Sequence, residues 1–134
     1  MNLKNFRLVD EYGFDDSSEI EHEGRTWDLH NDGSFTGFEL LSETSLVFNW
    51  RMGYIEGGLV ASGPLLSLKF DGLKEFRHEL VESGAGAQPE CLFAIMLGPL
   101  ATRTLKESSV VLQFMGGIRY LIRAESAEVT LRHD

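Results

Sequence analysis

Two runs of alternating apolar residues dominate the C-terminal part of the chain, where they flank the pair Gly116-Gly117, and a third run follows them. Alternation with a period of two is typical of strands with a buried face, and a two-residue glycine turn has the twist that joins such strands. The pattern predicts a hairpin that pairs Met115 with Ile118. In that register Phe114 and Tyr120 lie on opposite faces, so we expect partial cover on both faces.

Similar alternation predicts strands in the middle of the chain. The runs of apolar and polar residues cover 34–41, 46–52, 66–70 and 90–97. The polar loop 42–45 has the length of a hairpin connection, so the first two strands are expected to pair with each other. Short strands separated by glycine-rich turns are typical of sandwiches and curved sheets.

The apolar spacing changes after residue 72. Leu73, Phe76, Leu80 and Val81 fall at helical spacing, and a Ser-Gly pair follows that can end a helix. These positions predict one short helix near 73–83. The predicted fold class is therefore mainly β, an antiparallel sandwich or a strongly curved sheet with this helix, and α+β is the alternative.

Length and charge narrow the class of protein. The 134 residues suit a single domain over 1–134, and the net charge is -9. Residues 1–32 contain nine acidic and three basic side chains, a net charge of -6, so the acidity is concentrated there. This balance repels phosphate backbones, which disfavours nucleic acid, and it attracts a basic protein partner. We expect residues 1–24 to be an acidic segment that is loosely ordered or docked on the domain.

The acidic segment supplies the candidate partner-binding residues. Long-range attraction speeds association when exposed carboxylates face a basic partner. A solvated face that aids solubility is the alternative explanation of the same charges, and a homo-oligomer is a further alternative. The candidates are Asp15, Asp16, Glu19, Glu21 and Glu23.

One stretch follows the spacing of a calcium-binding loop. Asp28, Asp32 and Glu39 occupy positions where such a loop places carboxylates, and Gly33 occupies the position of its sharp bend. His30 departs from the pattern, because a hard cation prefers oxygen to an imidazole nitrogen at that position. A polar turn over 31–34 that leads into a strand is the better explanation, since Asn, Asp and Gly are common in turns. The alternative function is a cation-binding or small-ligand β domain that uses residues 28–39.

The sequence contains no set of residues with catalytic spacing. The serine pairs lack a nucleophile elbow and the glycine pairs lack a phosphate-binding loop, so we expect a non-enzymatic protein without a cofactor. No apolar run approaches the roughly 20 residues of a membrane helix, and the first residues lack the apolar stretch of a secretory signal. The sequence has one cysteine, so the chain can form no internal disulfide. We expect the protein to be in the cytoplasm and to have no membrane partner.

The order of motifs resembles the small bacterial immunity proteins of the Imm50 type. The run LHNDGSF over 29–35 is followed by strands at 38–40 and 46–50, then by LSLKFDGL over 66–73 and the C-terminal hairpin. Members often carry a His-Asp pair before the first long strand, whereas Asn31 separates His30 from Asp32 here. The resemblance implies a β-rich, non-enzymatic protein that neutralises a co-encoded toxin by covering it. An acidic surface that faces a basic partner suits that function.

Overall fold

Strands form the regular secondary structure throughout the residues that the computed structural model describes, which are 1–9, 16–55, 58–59, 63–80, 92–97, 109–114 and 117–133. The predicted mainly β fold is confirmed. Within these ranges no helix is present, and the strands assemble into two five-stranded sheets and two smaller ones.

The first sheet is antiparallel except for one parallel pair of strands at its edge. Its order is β1-β15-β10-β7-β6, and only the β1–β15 pair among these is parallel. The strands are β1 (Asn2–Leu3), β6 (Gly33–Ser42), β7 (Ser45–Met52), β10 (Leu65–Asp71) and β15 (Ser126–Arg132).

The second sheet is antiparallel, in the order β11-β14-β13-β12-β3. Its strands are β3 (Asp16–Ser17), β11 (Glu75–Leu80), β12 (Leu92–Leu97), β13 (Ser109–Phe114) and β14 (Ile118–Arg123). A three-stranded sheet has the order β2-β4-β5, and a short pair joins β8 to β9. These strands are β2 (Phe6–Leu8), β4 (Glu19–His22), β5 (Arg25–Asp28), β8 (Tyr54–Ile55) and β9 (Gly58–Leu59).

Aromatic side chains hold the two large sheets face to face. Phe48 and Trp50 of β7 point inward, as their alternation predicts, and both are fully buried. The Phe48 ring lies 5.3 Å from that of Tyr120 on β14, and the Trp50 ring stacks on Phe114 of β13 at 6.4 Å. Such pairs add to the free energy of apolar burial, so the antiparallel sandwich is built around this aromatic contact.

The C-terminal hairpin forms, but in a register one residue away from the predicted one. Leu112 pairs with Tyr120, and three residues, not two, separate the ends of β13 and β14. Gly117 has a φ of 87° and its N–H donates to the Phe114 carbonyl. A one-residue shift in register moves the side chains of one strand to the other face relative to those of its partner strand. Phe114 and Tyr120 therefore share the core face instead of lying on opposite faces.

The predicted helix near 73–83 is wrong over the residues that the structure describes. Residues 75–80 form β11, which pairs along its whole length with β14. Phe76 and Leu80 are four residues apart, a spacing that fits one face of a strand as well as one face of a helix. Pairing with β14 decides between the two, and residues 81–83 lie outside the described part of the chain.

The described parts of the acidic segment are docked by strand pairing and one asparagine. Asn5 follows β1, and its side-chain amide donates to the Val129 carbonyl and accepts from the Val129 N–H, both at 2.8 Å. The Asn5 carbonyl accepts a 2.9 Å hydrogen bond from Nδ1 of the buried His22. The side-chain amide of Asn5 therefore continues the β1–β15 ladder, and its backbone carbonyl connects His22 of β4 to that ladder.

Candidate interaction surface

The far end of β6 is an exposed apolar surface. β6 is the edge strand of the first sheet, and residues 38–44 are all exposed. Phe38, Leu40 and Leu41 are 39%, 59% and 50% exposed, and they are the exposed large hydrophobic side chains of the described residues. These three residues are called the apolar patch below. Large apolar side chains grouped at one place on a surface mark contact sites.

Pairing with β7 shows why the patch is uncovered. Phe38 and Leu40 lie opposite the buried Phe48 and Leu46, so they belong to the core-facing side of β6. The second sheet covers these two partners completely, whereas it covers Phe38 only in part and leaves Leu40 mostly exposed. Leu41 lies at an irregularity between Leu40 and Ser42, and a further irregularity between Phe35 and Gly37 precedes the patch. Bulges of this kind add twist to an edge strand.

The Phe38 ring anchors the patch to the aromatic core. It lies 5.4 Å from the ring of Phe48, 5.3 Å from Phe76 on β11 and 5.2 Å from Tyr120. β11 is the edge strand of the second sheet. The edges of the two sheets therefore lie on the same side of the sandwich, with Phe38 between them.

Uncompensated negative charge borders the patch. The Glu39 and Glu43 side chains are exposed, and neither carboxylate has a hydrogen bond or an ion pair with another described residue. The acids of β11 differ, since Glu75 pairs with Arg77 at 2.9 Å and Glu79 pairs with Arg119. The charge available to a partner on this side of the sandwich therefore comes from β6 and its turn.

The described members of the five acidic residues predicted to bind a partner lie on two strands and a turn. Asp16 is in β3 of the second sheet, and Asp15 lies outside the described residues. Glu19 and Glu21 share one face of β4, and Glu23 is exposed in the turn that follows, with a φ of 52°.

One of these acids is already paired within the chain. Arg7 of β2 donates to the Glu21 carboxylate at 2.6 Å, and this hydrogen bond lowers the pKa of Glu21. Glu21 is therefore less available to a basic partner than the exposed Glu23 is. The role of the five residues in binding stays a prediction.

The predicted cation ligands do not converge. Oδ1 of Asp28 accepts hydrogen bonds from the backbone N–H groups of His30 and Asn31, and its Oδ2 accepts one from the Asn31 amide. Asp32 follows in the same turn, whereas Glu39 lies in the exposed half of β6. No three His, Cys, Asp or Glu side chains within the described ranges are grouped as a metal ion would require. Asp28 and Asp32 instead stabilise the polar turn that precedes β6, a turn that the sequence also predicted.

A cleft of about 390 Å³ lies where β5 approaches the end of β7. Its lining includes Arg25, Trp27 and Asp32. The Arg25 guanidinium lies 4.1 Å from the centre of the Trp27 ring, so the chain's own cation covers the indole. The position over the ring that a cationic ligand would use is therefore already taken.

No pattern in the sequence indicated the apolar patch directly. Phe38 and Leu40 have the spacing of core residues on a strand, and their exposure depends on how far the second sheet extends.

Among the described residues, no helix is long and apolar enough to span a lipid bilayer. In comparisons with family models, with curated proteins and with solved structures, nothing matched this chain.

Proposed function

We propose that this protein is a non-enzymatic interaction domain that binds a partner protein through the apolar patch. The observation that carries the proposal is the exposure of Phe38, Leu40 and Leu41 together at the end of an edge strand. Their side chains would gain roughly 25 cal/mol per Å² of apolar area that a partner covers. Anchoring of Phe38 in the core favours binding further, because its ring loses little freedom on association.

Charge favours a basic protein as that partner. Glu39 and Glu43 border the patch without partners among the described residues, and the whole chain has a net charge of -9. A basic surface would be attracted at long range and would meet unpaired carboxylates at the rim of the contact. Nucleic acid would be repelled by the same field.

A finer form of the proposal is an immunity-type inhibitor in a bacterial cytosol. It rests on the resemblance to the Imm50 type and on the fit of an acidic protein to a basic toxin. Covering a toxin requires a stable contact, which an apolar patch with a charged rim would supply. This form predicts that the partner is toxic to cells when expressed alone and harmless when co-expressed with this chain.

The test compares patch variants with a matched control in a pull-down from the lysate of the source cells. Leu40→Asp and Leu41→Asp each add one charge to the patch, and Thr130→Asp adds the same charge at an exposed position of β15. We expect the parent and Thr130→Asp to retain one stoichiometric protein and both patch variants to lose it. Retention by both patch variants, or no stoichiometric protein with the parent, would contradict the proposal. Circular dichroism of each variant would establish that it is folded.

A further inference from the structure

We propose that the partner contributes an extended basic segment that pairs as an additional strand with the outer edge of β6. This inference rests on the proposed function and names the mode of recognition at the same site. The outer edge of β6 has no strand partner among the described residues, so its N–H and C=O groups on that side are open to another chain. Adding a strand to such an edge is a common mode of peptide recognition.

The two irregularities of β6 define where the added strand would pair. Between them, residues 37–40 pair one to one with residues 49–46 of β7. A regular ladder on one side of a strand presents regularly spaced groups on its other side. We therefore expect the added strand to pair with residues 37–40, and the bulges to prevent pairing beyond them.

Side-chain alternation in this segment predicts the chemistry of the partner. Phe38 and Leu40 are on the core-facing side, and Glu39 is on the opposite side. An added strand would place its side chains on the same two sides, one beside each of these residues. Apolar residues of the partner would cover Phe38 and Leu40, and a Lys or Arg between them would lie beside Glu39. The recognised pattern is an alternation of apolar and basic residues.

A second copy of this chain fits the edge less well. Pairing of β6 with another β6 would bring together two exposed segments that each carry Glu39 and Glu43 without a counter-charge. Like charges on neighbouring strands are destabilising, and each copy has a net charge of -9. The unpaired carboxylates favour a basic partner for the same reason.

The test adds a capped heptapeptide of alternating Lys and Val to the full chain. NMR then measures the rate of hydrogen exchange at each backbone amide of the chain, with and without the peptide. At saturating peptide we expect exchange of alternate amides within residues 37–40 to slow by at least about tenfold. Leu40→Asp should abolish this protection, and the control variant Thr130→Asp should retain it. Two control peptides separate the contributions. One has Glu in place of Lys, and the other keeps all side chains but is N-methylated throughout, which removes its N–H donors. Neither should protect β6.

The outcomes distinguish this inference from the proposed function. Protection of residues 37–40 by the Lys peptide alone supports the added strand. Equal binding of the N-methylated peptide, or binding that shifts the Phe38 and Leu40 side-chain signals without protecting any amide, would refute strand pairing and leave the apolar patch as a docking surface. An absence of binding by every peptide would also refute it, whereas the proposed function depends on the pull-down.

Discussion

Two leucines that face each other across β6 and β7 allow a direct test of the exposed patch. Leu40 and Leu46 are cross-strand partners, yet Leu46 is 0% exposed and Leu40 is 59% exposed. Replacing a fully buried leucine by alanine costs about 2–5 kcal/mol, because the lost transfer free energy is augmented by the cavity that remains. We expect Leu46→Ala to fall in this range.

The cost of Leu40→Ala should be much smaller. About two-fifths of its surface is covered, and complete burial of a leucine is worth about 2 kcal/mol. The substitution leaves no enclosed cavity at an exposed site, so we expect a loss of less than about 1 kcal/mol. In a chain of 134 residues each kcal/mol corresponds to about 4 °C in the melting temperature.

Denaturant unfolding of the parent and both variants measures the two costs under identical conditions. Equal slopes with denaturant would show that only the free energy of unfolding has changed. A cost for Leu40→Ala above about 2 kcal/mol would refute the reasoning, because it would mean that Leu40 is covered in solution. Repeating the experiment at about tenfold lower protein concentration would reveal whether a second copy provides that cover.

Three further substitutions test the docking of the N-terminal strands and the packing of the turns. Asn5→Ala removes both hydrogen bonds to the backbone of Val129 and should cost about 2 kcal/mol, with faster exchange of the Val129 amide measured by NMR. Gly63→Ala should cost about 3 kcal/mol or more in thermal unfolding, because a Cβ there would lie 1.8 Å from a backbone carbonyl oxygen of β7. Arg7→Met should raise the pKa of Glu21 in an NMR titration, since the hydrogen bond from Arg7 lowers it from the ordinary value of 4.5. A lowered carboxyl pKa stabilises the fold above the ordinary value and this stabilisation is lost as the pH falls through the lowered one, so the stability difference between parent and variant should shrink in acid.

The sequence predicted the strands well where alternation was regular. In β10 every second residue is buried, because one face of the strand meets the opposite sheet. In β7 the same alternation buries Leu46, Phe48, Trp50 and Met52, and Ser45 and Val47 on the other face are buried as well. The hairpin between β4 and β5 was missed. Its turn is Glu23-Gly24, with φ angles of 52° and 78°, and a glutamate in that conformation is not a common turn signal.

The functional surface was harder to predict because its exposure is not a local property. Phe38 and Leu40 have the same alternation as Leu46 and Phe48, yet the second sheet covers only the latter pair completely. Net charge directed attention to the acids of the first 24 residues, of which Glu21 is already paired with Arg7. The strand assignment of residues 75–80 likewise depended on a distant partner, β14.

The position of β15 between β1 and β10 has a consequence for how the protein folds. Its contact with the N-terminal segment joins Asn5 to Val129, which are 124 residues apart. The β6–β7 hairpin can form from neighbouring residues, but the first sheet closes only after residues 126–132 have been synthesised and have inserted between β1 and β10, whose residues are synthesised much earlier. Pairings over such long separations make refolding slow, on the order of milliseconds to seconds. Until that insertion the edge of β10 is open to other nascent chains, so aggregation competes with folding most strongly at this step.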